Sequence, residues 1–182
     1  MLKIEENPPI LSPLAETLTE LPGRWWVAHT KSRFEKAFAW DLLRQGIGYF
    51  LPLVERVRVS GGKKRRVMAP LFPSYVFFCG DAEARYVAMT TNRLCQTLNV
   101  NEQAHLISEL AAIELALTGK AELDPYPFAA VGRRCRVKAG PFRGLEGVVV
   151  QRNSVSRLVL AVDILGQGAA MDIETDLLEP VD

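Results

Sequence analysis

Residues 137–150 read VKAGPFRGLEGVVV. A basic, alternating approach, Arg134–Cys135–Arg136–Val137–Lys138, leads into Gly140–Pro141, Gly144 and Gly147, and then into the apolar run Val148–Val149–Val150. Glycine reaches backbone angles that other residues avoid, and it lets a second backbone approach closely. A charged strand, a tight corner, the basic Arg143 and a further glycine beside an apolar strand predict a small β-barrel with a working loop. The segments around it fit. Short strands are predicted over 133–138, 146–151, 157–164 and 169–174, separated by glycine turns. Val148–Val150 and Leu158–Val162 favour a strand over a helix, and Pro141 and the glycines oppose a helix.

Before the barrel, KAELDPYPF (120–128) has two prolines and no periodicity, so residues 119–130 are predicted as a flexible linker. Upstream the pattern is mixed. Arg24–Ala28 (RWWVA) predicts a strand. Ser32-x-x-Glu35 has the capping-box spacing and predicts a helix to about Gln45, with the stripe Phe34, Phe38 and Leu42 facing a core. Arg56 and Arg58 alternate with Val57 and Val59 ahead of Ser60–Gly61–Gly62, which predicts a hairpin with Lys63–Lys64–Arg65–Arg66 beside its tip. PLFPSYVFF (70–78) predicts a strand from Tyr75, residues 81–90 a short helix, 94–100 a strand, and Leu106, Leu110, Ile113 and Leu117 a second amphipathic helix. Residues 1–23 hold four prolines and predict a loosely ordered tail. The fold class is therefore α+β: an antiparallel sheet with packed helices over 24–118, a linker over 119–130, and a small SH3-like barrel over 131–182.

Bulk properties exclude several classes. The 182 residues carry a formal charge of +1, with 48% hydrophobic and 24% charged residues, as in ordinary globular proteins. No apolar run approaches membrane-spanning length, and the amino terminus lacks the apolar core of a signal peptide. Cys79, Cys95 and Cys135 are widely spaced and odd in number, which fits neither a disulfide framework nor a metal site and favours a reducing cytoplasm. His29 and His105 show no metal-ligand spacing, and no nucleophile elbow or phosphate-cradling loop is present. No enzyme activity, cofactor or metal is expected. The basic stretches are either solvated faces or local nucleic-acid contacts. Tyr75 and Phe77 share one face of their strand, as an exposed aromatic patch or as core.

In element order and in its motifs the chain resembles the NusG family of transcription elongation factors. VGRRCRVKAGPFRGLEGVVV (131–150) is similar to the KOW signature, and VDILGQGAAMDIETDLLEPV (162–181) to the closing strands of that barrel. The WWVA strand, the basic hairpin and PLFPSYVF resemble the family's amino-terminal domain, and SGGKKRRVMAPLFPSYVF (60–77) looks closer to RfaH-like specialised paralogues than to the housekeeping factor. Where those carry a His-Thr-Thr run, this chain reads Tyr86–Val87–Ala88. The resemblance implies a monomeric factor that suppresses pausing or termination. Phe72, Pro73, Tyr75 and Phe77 would receive the clamp helices of RNA polymerase. Lys31, Arg44 and Gln45 would touch non-template DNA in the transcription bubble, and Lys63, Lys64, Arg65 and Arg66 would reach upstream DNA. The barrel, through Phe142, Ile164, Leu165 and Gly166, would meet Rho or a small-subunit ribosomal protein. A ribosome-associated or RNA-binding KOW protein is the alternative.

Overall fold

A computed structural model describes residues 6–13, 17–127, 132–152 and 154–181. The chain divides into two compact units, Met1–Gln103 and Ala104–Asp182. The first is built on a five-stranded antiparallel sheet in the order β1-β3-β6-β2-β7. Its strands are β1 (Leu11–Ser12), β2 (Arg24–Thr30), β3 (Gly48–Phe50), β6 (Tyr75–Gly80) and β7 (Leu94–Leu98). The helices α1 (Glu35–Arg44) and α2 (Ala82–Thr90) belong to this unit, as does a separate hairpin of β4 (Leu53–Ser60) and β5 (Lys63–Pro70).

Strand β6 is central and apolar on both faces. Val76 and Phe78 join Phe38, Ala39 and Leu42 of α1, Tyr49, Leu51 and Ala88 in one core, where Phe38 meets Phe78 edge-on at 6.0 Å. On the opposite face Phe77 lies between Phe50 and Phe72, with ring centroids 6.4 and 6.1 Å away. In register with it, Val27 sits opposite Phe77 and Trp25 opposite Cys79. The predicted helix stripe is two-thirds right: Phe38 and Leu42 are fully buried, while Phe34 is at the surface.

Two local expectations are overturned. The Ser32–Glu35 capping box does not form. Arg33 takes a positive φ of 67°, so the helix begins only at Glu35, with Phe34 as its cap. The Glu35 carboxylate is instead buried and accepts the Ser74 N–H at 2.7 Å, fixing the turn that feeds β6. The described part of the 1–23 segment is not loosely held either. Leu11 and Ser12 pair with Phe50 and Tyr49, the Leu51 N–H donates to the Ile10 carbonyl, and the Tyr49 hydroxyl donates to the Pro9 carbonyl. Leu18 is fully buried. These apolar and backbone contacts outweigh the proline content that suggested a free tail.

The second unit comprises α3 (Gln103–Thr118, of which Ala104 onward) and six antiparallel strands in the order β13-β9-β10-β11-β12-β8. These are β8 (Asp124–Tyr126), β9 (Arg133–Val137), β10 (Glu146–Arg152), β11 (Val155–Val162), β12 (Gln167–Asp172) and β13 (Leu178–Pro180). Val137, Leu145, Leu158, Leu160, Val162, Ala169 and Met171 form its interior. Residues 124–126, expected within a flexible linker, pair with Gly168–Ala170 as an edge strand; the remainder of that expectation at 128–130 lies outside the described residues. Pro125 is tolerated there because an edge strand leaves one side of its backbone unpaired.

The glycines of the opening stretch have distinct duties. Gly144 adopts φ +90°, which closes the turn through its N–H to the Val137 carbonyl at 2.8 Å. At Gly147 a Cβ would stand 2.5 Å from the Val159 carbonyl oxygen of the neighbouring strand. Gly147→Ala should therefore lower stability by about 1–3 kcal/mol in urea unfolding, as overpacking does. Leu18→Ala should cost about 2–5 kcal/mol as a buried Leu truncation; a change near zero would show that the amino-terminal segment is not docked.

Candidate nucleic-acid and partner interfaces

The hairpin register decides how its charges are arranged. Arg58 stands directly opposite Arg65, Arg56 opposite Val67 and Ser60 opposite Lys63. Alternation puts Arg56, Arg58, Lys63 and Arg65 on one face and Val57, Val59, Lys64 and Arg66 on the other. Val57 and Val59 are 60% and 67% exposed. Directly opposed like charges weaken a strand pair; Glu55 stands 3.4 Å from Arg66 on the other face of the ribbon. The field reaches the first helix. Lys36, whose Nζ donates to the Met68 carbonyl, has its pKa lowered by burial of the ammonium and further by the charge of Arg58.

The two ends of α1 hold the other expected nucleic-acid residues. These residues lie at the two ends of a ten-residue helix, about 15 Å long, and Arg93 stands between them: its carbonyl accepts the Lys31 N–H at 2.8 Å. Lys31 Nζ donates to the carbonyl and the side-chain Oδ1 of Asn92 at 2.8 and 2.9 Å. Arg44 pairs with Asp41, which also receives Arg93 Nε at 2.9 Å. Arg93, with its guanidinium 5.3 Å from the Phe34 ring, belongs to this surface although sequence reasoning did not single it out. Gln45 is exposed.

The aromatic stretch is not the exposed patch considered from the sequence. Phe72 and Phe77 are 1% and 0% exposed and belong to the core. What reaches the surface is Pro73, with a half-buried Tyr75 stacked on His29 at 5.1 Å. Period-two alternation placed Tyr75 and Phe77 on one face correctly, but it could not show that the face is covered around Phe77.

In the second unit, Phe142 is half-buried against the end of α3: a Cβ at Gly119 would come within 2.6 Å of its ring. Ile164 and Leu165 are half-buried in a 3-10 turn, Asp163–Leu165, closed by an exposed Gly166 in the left-handed conformation. At the head of that turn lies a group the sequence reading missed. His105 Nε2 is 2.9 Å from Asp163 Oδ2 and 3.2 Å from Glu109 Oε1, and the Asp163 N–H donates to Glu109 Oε1 at 2.9 Å. Burial raises the Glu109 pKa, against the hydrogen bond from Asp163. His105 and Glu109 are four apart on one helix, a spacing that faces both side chains the same way.

A family profile described as transcription termination factor nusG matches residues 23–115, and a KOW motif profile matches 131–159. The chain belongs to the NusG family. It is a transcription termination/antitermination factor of that family, and its KOW motif covers the strands β9 and β10 and half of β11. Proteins named transcription termination/antitermination protein NusG from Staphylococcus aureus strain N315 and Staphylococcus carnosus strain TM300 are 24% and 23% identical over 172 residues, covering 86% of this chain and 94% of each relative. A solved structure titled "Domain interaction in Thermotoga maritima NusG" aligns at a TM-score of 0.45 and 18% identity, over 87% of this chain and 97% of that one. The NusG profile ends inside α3, twelve residues beyond Gln103, where the compact units divide. No helix of the described residues is long and apolar enough to cross a membrane.

The electrostatic coupling between hairpin and helix gives a direct check. Arg58→Ser should raise the Lys36 pKa, read from its side-chain resonances during a pH titration. An unchanged Lys36 titration would mean that Arg58 points away from it in solution.

Proposed function

We propose that this NusG-family chain binds RNA polymerase through its amino-terminal domain, suppresses pausing or termination, and recruits a second protein through its KOW barrel. The functional division follows residues 24–118 and 131–182, with 119–130 between them, and the factor acts as a cytoplasmic monomer. The observation that carries the reading is the pairing of a NusG domain with a hairpin whose arginines oppose one another. Such a tip is stabilised when phosphates neutralise it.

The polymerase clamp helices would dock on the surface made by Pro73 and Tyr75, with Phe72 and Phe77 holding that surface rigid from beneath. Lys63, Lys64, Arg65 and Arg66 would contact phosphates of upstream DNA. At the ends of α1, Arg44 and Gln45 would meet the non-template strand, where Lys and Arg position a backbone and Gln reads a base edge. Lys31 would first release Asn92. The turn Ile164–Leu165–Gly166, with Phe142, would take Rho or a small-subunit ribosomal protein.

Co-purification with RNA polymerase tests the first step. Pro73→Ala with Tyr75→Ala should weaken polymerase binding while leaving the fold intact, because neither side chain is buried in the core. Failure to bind polymerase, with retention on ribosomal RNA, would instead establish the RNA-binding KOW alternative. Neutralising the four hairpin cations should flatten the log–log salt dependence of DNA binding by about 0.7–0.9 per lost phosphate contact. An unchanged slope would make the run a solvated face.

A further inference from the structure

We propose that His105, Glu109 and Asp163 form a divalent transition-metal site, with Zn²⁺ as the fitting ion, that ties α3 to the 3-10 turn of the barrel. The inference concerns the second unit alone and stands whether or not the chain binds polymerase.

The donor geometry is the first support. One atom from each of the three residues lies within 4.8 Å of the others. His105 Nε2 is 2.9 Å from Asp163 Oδ2 and 3.2 Å from Glu109 Oε1. Ligands about 2.0–2.2 Å from a tetrahedral zinc stand about 3.3–3.5 Å from one another, so shifts of a few tenths of an ångström bring the two pairs onto one face of a coordination shell. The third edge closes by rotation of Asp163, whose side chain is 67% exposed.

The donor set and its support are the second argument. One neutral imidazole and two carboxylates supply a charge of −2 to a +2 ion. Glu109 is only 10% exposed, so its charge is costly without a cation. The N–H of Asp163 donates to Glu109 Oε1 at 2.9 Å. That bond orients the carboxylate from the same turn that supplies the third ligand, as outer partners orient ligands in metal sites. His105 and Glu109 come from adjacent turns of a rigid helix, whereas Asp163 lies 58 residues further along the chain. A bound ion is therefore a cross-link rather than a local chelate. The exposed side of the cluster, with His105 47% exposed, leaves room for water in the remaining coordination position.

Among the described residues Arg134 and Glu146 line the same cavity as His105, Glu109 and Asp163. Arg134 and Arg136 are both paired with Glu146, at 3.6 and 2.5 Å. The consequence falls on Asp163–Gly166. With the ion in place the turn is held to α3; without it, the turn depends on the hydrogen bonds that join Asp163 to His105 and Glu109.

The test uses the full chain, freed of metal by chelation. Titration with Co²⁺ as a spectroscopic probe, and with Zn²⁺ by calorimetry, should show one saturable site per chain. His105→Ala, Glu109→Gln and Asp163→Asn should each weaken binding by at least about tenfold, with unchanged far-UV circular dichroism. Because Asp163 is largely exposed, Asp163→Asn keeps the fold and decides the question even if the other two variants do not fold. Zn²⁺ should shift the amide resonances of Asp163 to Gly166. His29→Ala and Cys95→Ala should leave binding unchanged. Absence of saturable binding would reduce the trio to an ordinary ion-pair cluster, and binding that survives Asp163→Asn or is lost with Cys95→Ala would place the metal elsewhere; either result overturns the proposal.

Discussion

The amino-terminal unit depends on a strand that has no solvent face for most of its length. Val76, Phe77, Phe78 and Cys79 are all buried, although successive side chains point to opposite sides. A central strand of this kind must be covered on both faces, and each neighbour is positioned by that demand. Helix α1 supplies Phe38 and Leu42 to one side. On the other, Phe50 and Phe72 bracket Phe77. Burial of each large side chain contributes roughly 1.5–3 kcal/mol, so the placement of Pro73 and Tyr75 is inherited from the packing beneath them. The buried Glu35 carboxylate reinforces this. It binds the backbone of Ser74 where the chain turns into the strand, and so couples the start of α1 to the surface next to Pro73.

The hairpin shows the opposite economy. Its outer half buries little, and it opposes Arg58 to Arg65 while exposing Val57 and Val59. Cross-strand like charges and exposed β-branched residues both weaken a free two-stranded ribbon. The backbone pairing of eight residue pairs and the strong strand preference of valine hold it together. Directly opposed arginines break a local sequence rule, and such breaks are expected at functional sites.

Much of this was legible in the sequence. Local pattern located the three helices, the hairpin with its Gly61–Gly62 turn and the longer strands, but not the short β1, β3, β8 and β13, which long-range pairing defines. Two errors share a physical cause. Ser32 and Glu35 have capping spacing, yet the Glu35 carboxylate gains more from the Ser74 amide, 39 residues away. Proline counted against order at the amino terminus, yet pairing of Leu11 with Phe50 holds the chain there. In both cases a distant backbone group outcompeted a local signal. Phe72 and Phe77 illustrate the same limit: alternation assigns a face, but only tertiary packing says whether that face is covered. The His105 cluster was missed, because His105 was read as showing no metal-ligand spacing. The i,i+4 spacing of His105 and Glu109 is present in the sequence, whereas Asp163 joins them only through folding.

That long-range closure gives the barrel turn two claims on it. Ile164, Leu165 and Gly166 are the residues proposed above to meet a partner, and Asp163 begins the same 3-10 turn. Its N–H is taken by Glu109 and its carboxylate by His105. A partner that reshapes this turn must therefore disturb bonds to α3, while α3 in turn restrains the apolar residues that a partner would grip. Exposed ion pairs contribute only about 0–1 kcal/mol each, which leaves such a restraint weak enough to yield. A metal ion coordinated by the same three side chains would add to the restraint without adding apolar surface. The turn's availability would then vary with occupancy of that site while the barrel interior, built from Leu158, Leu160, Val162 and Met171, stayed unchanged.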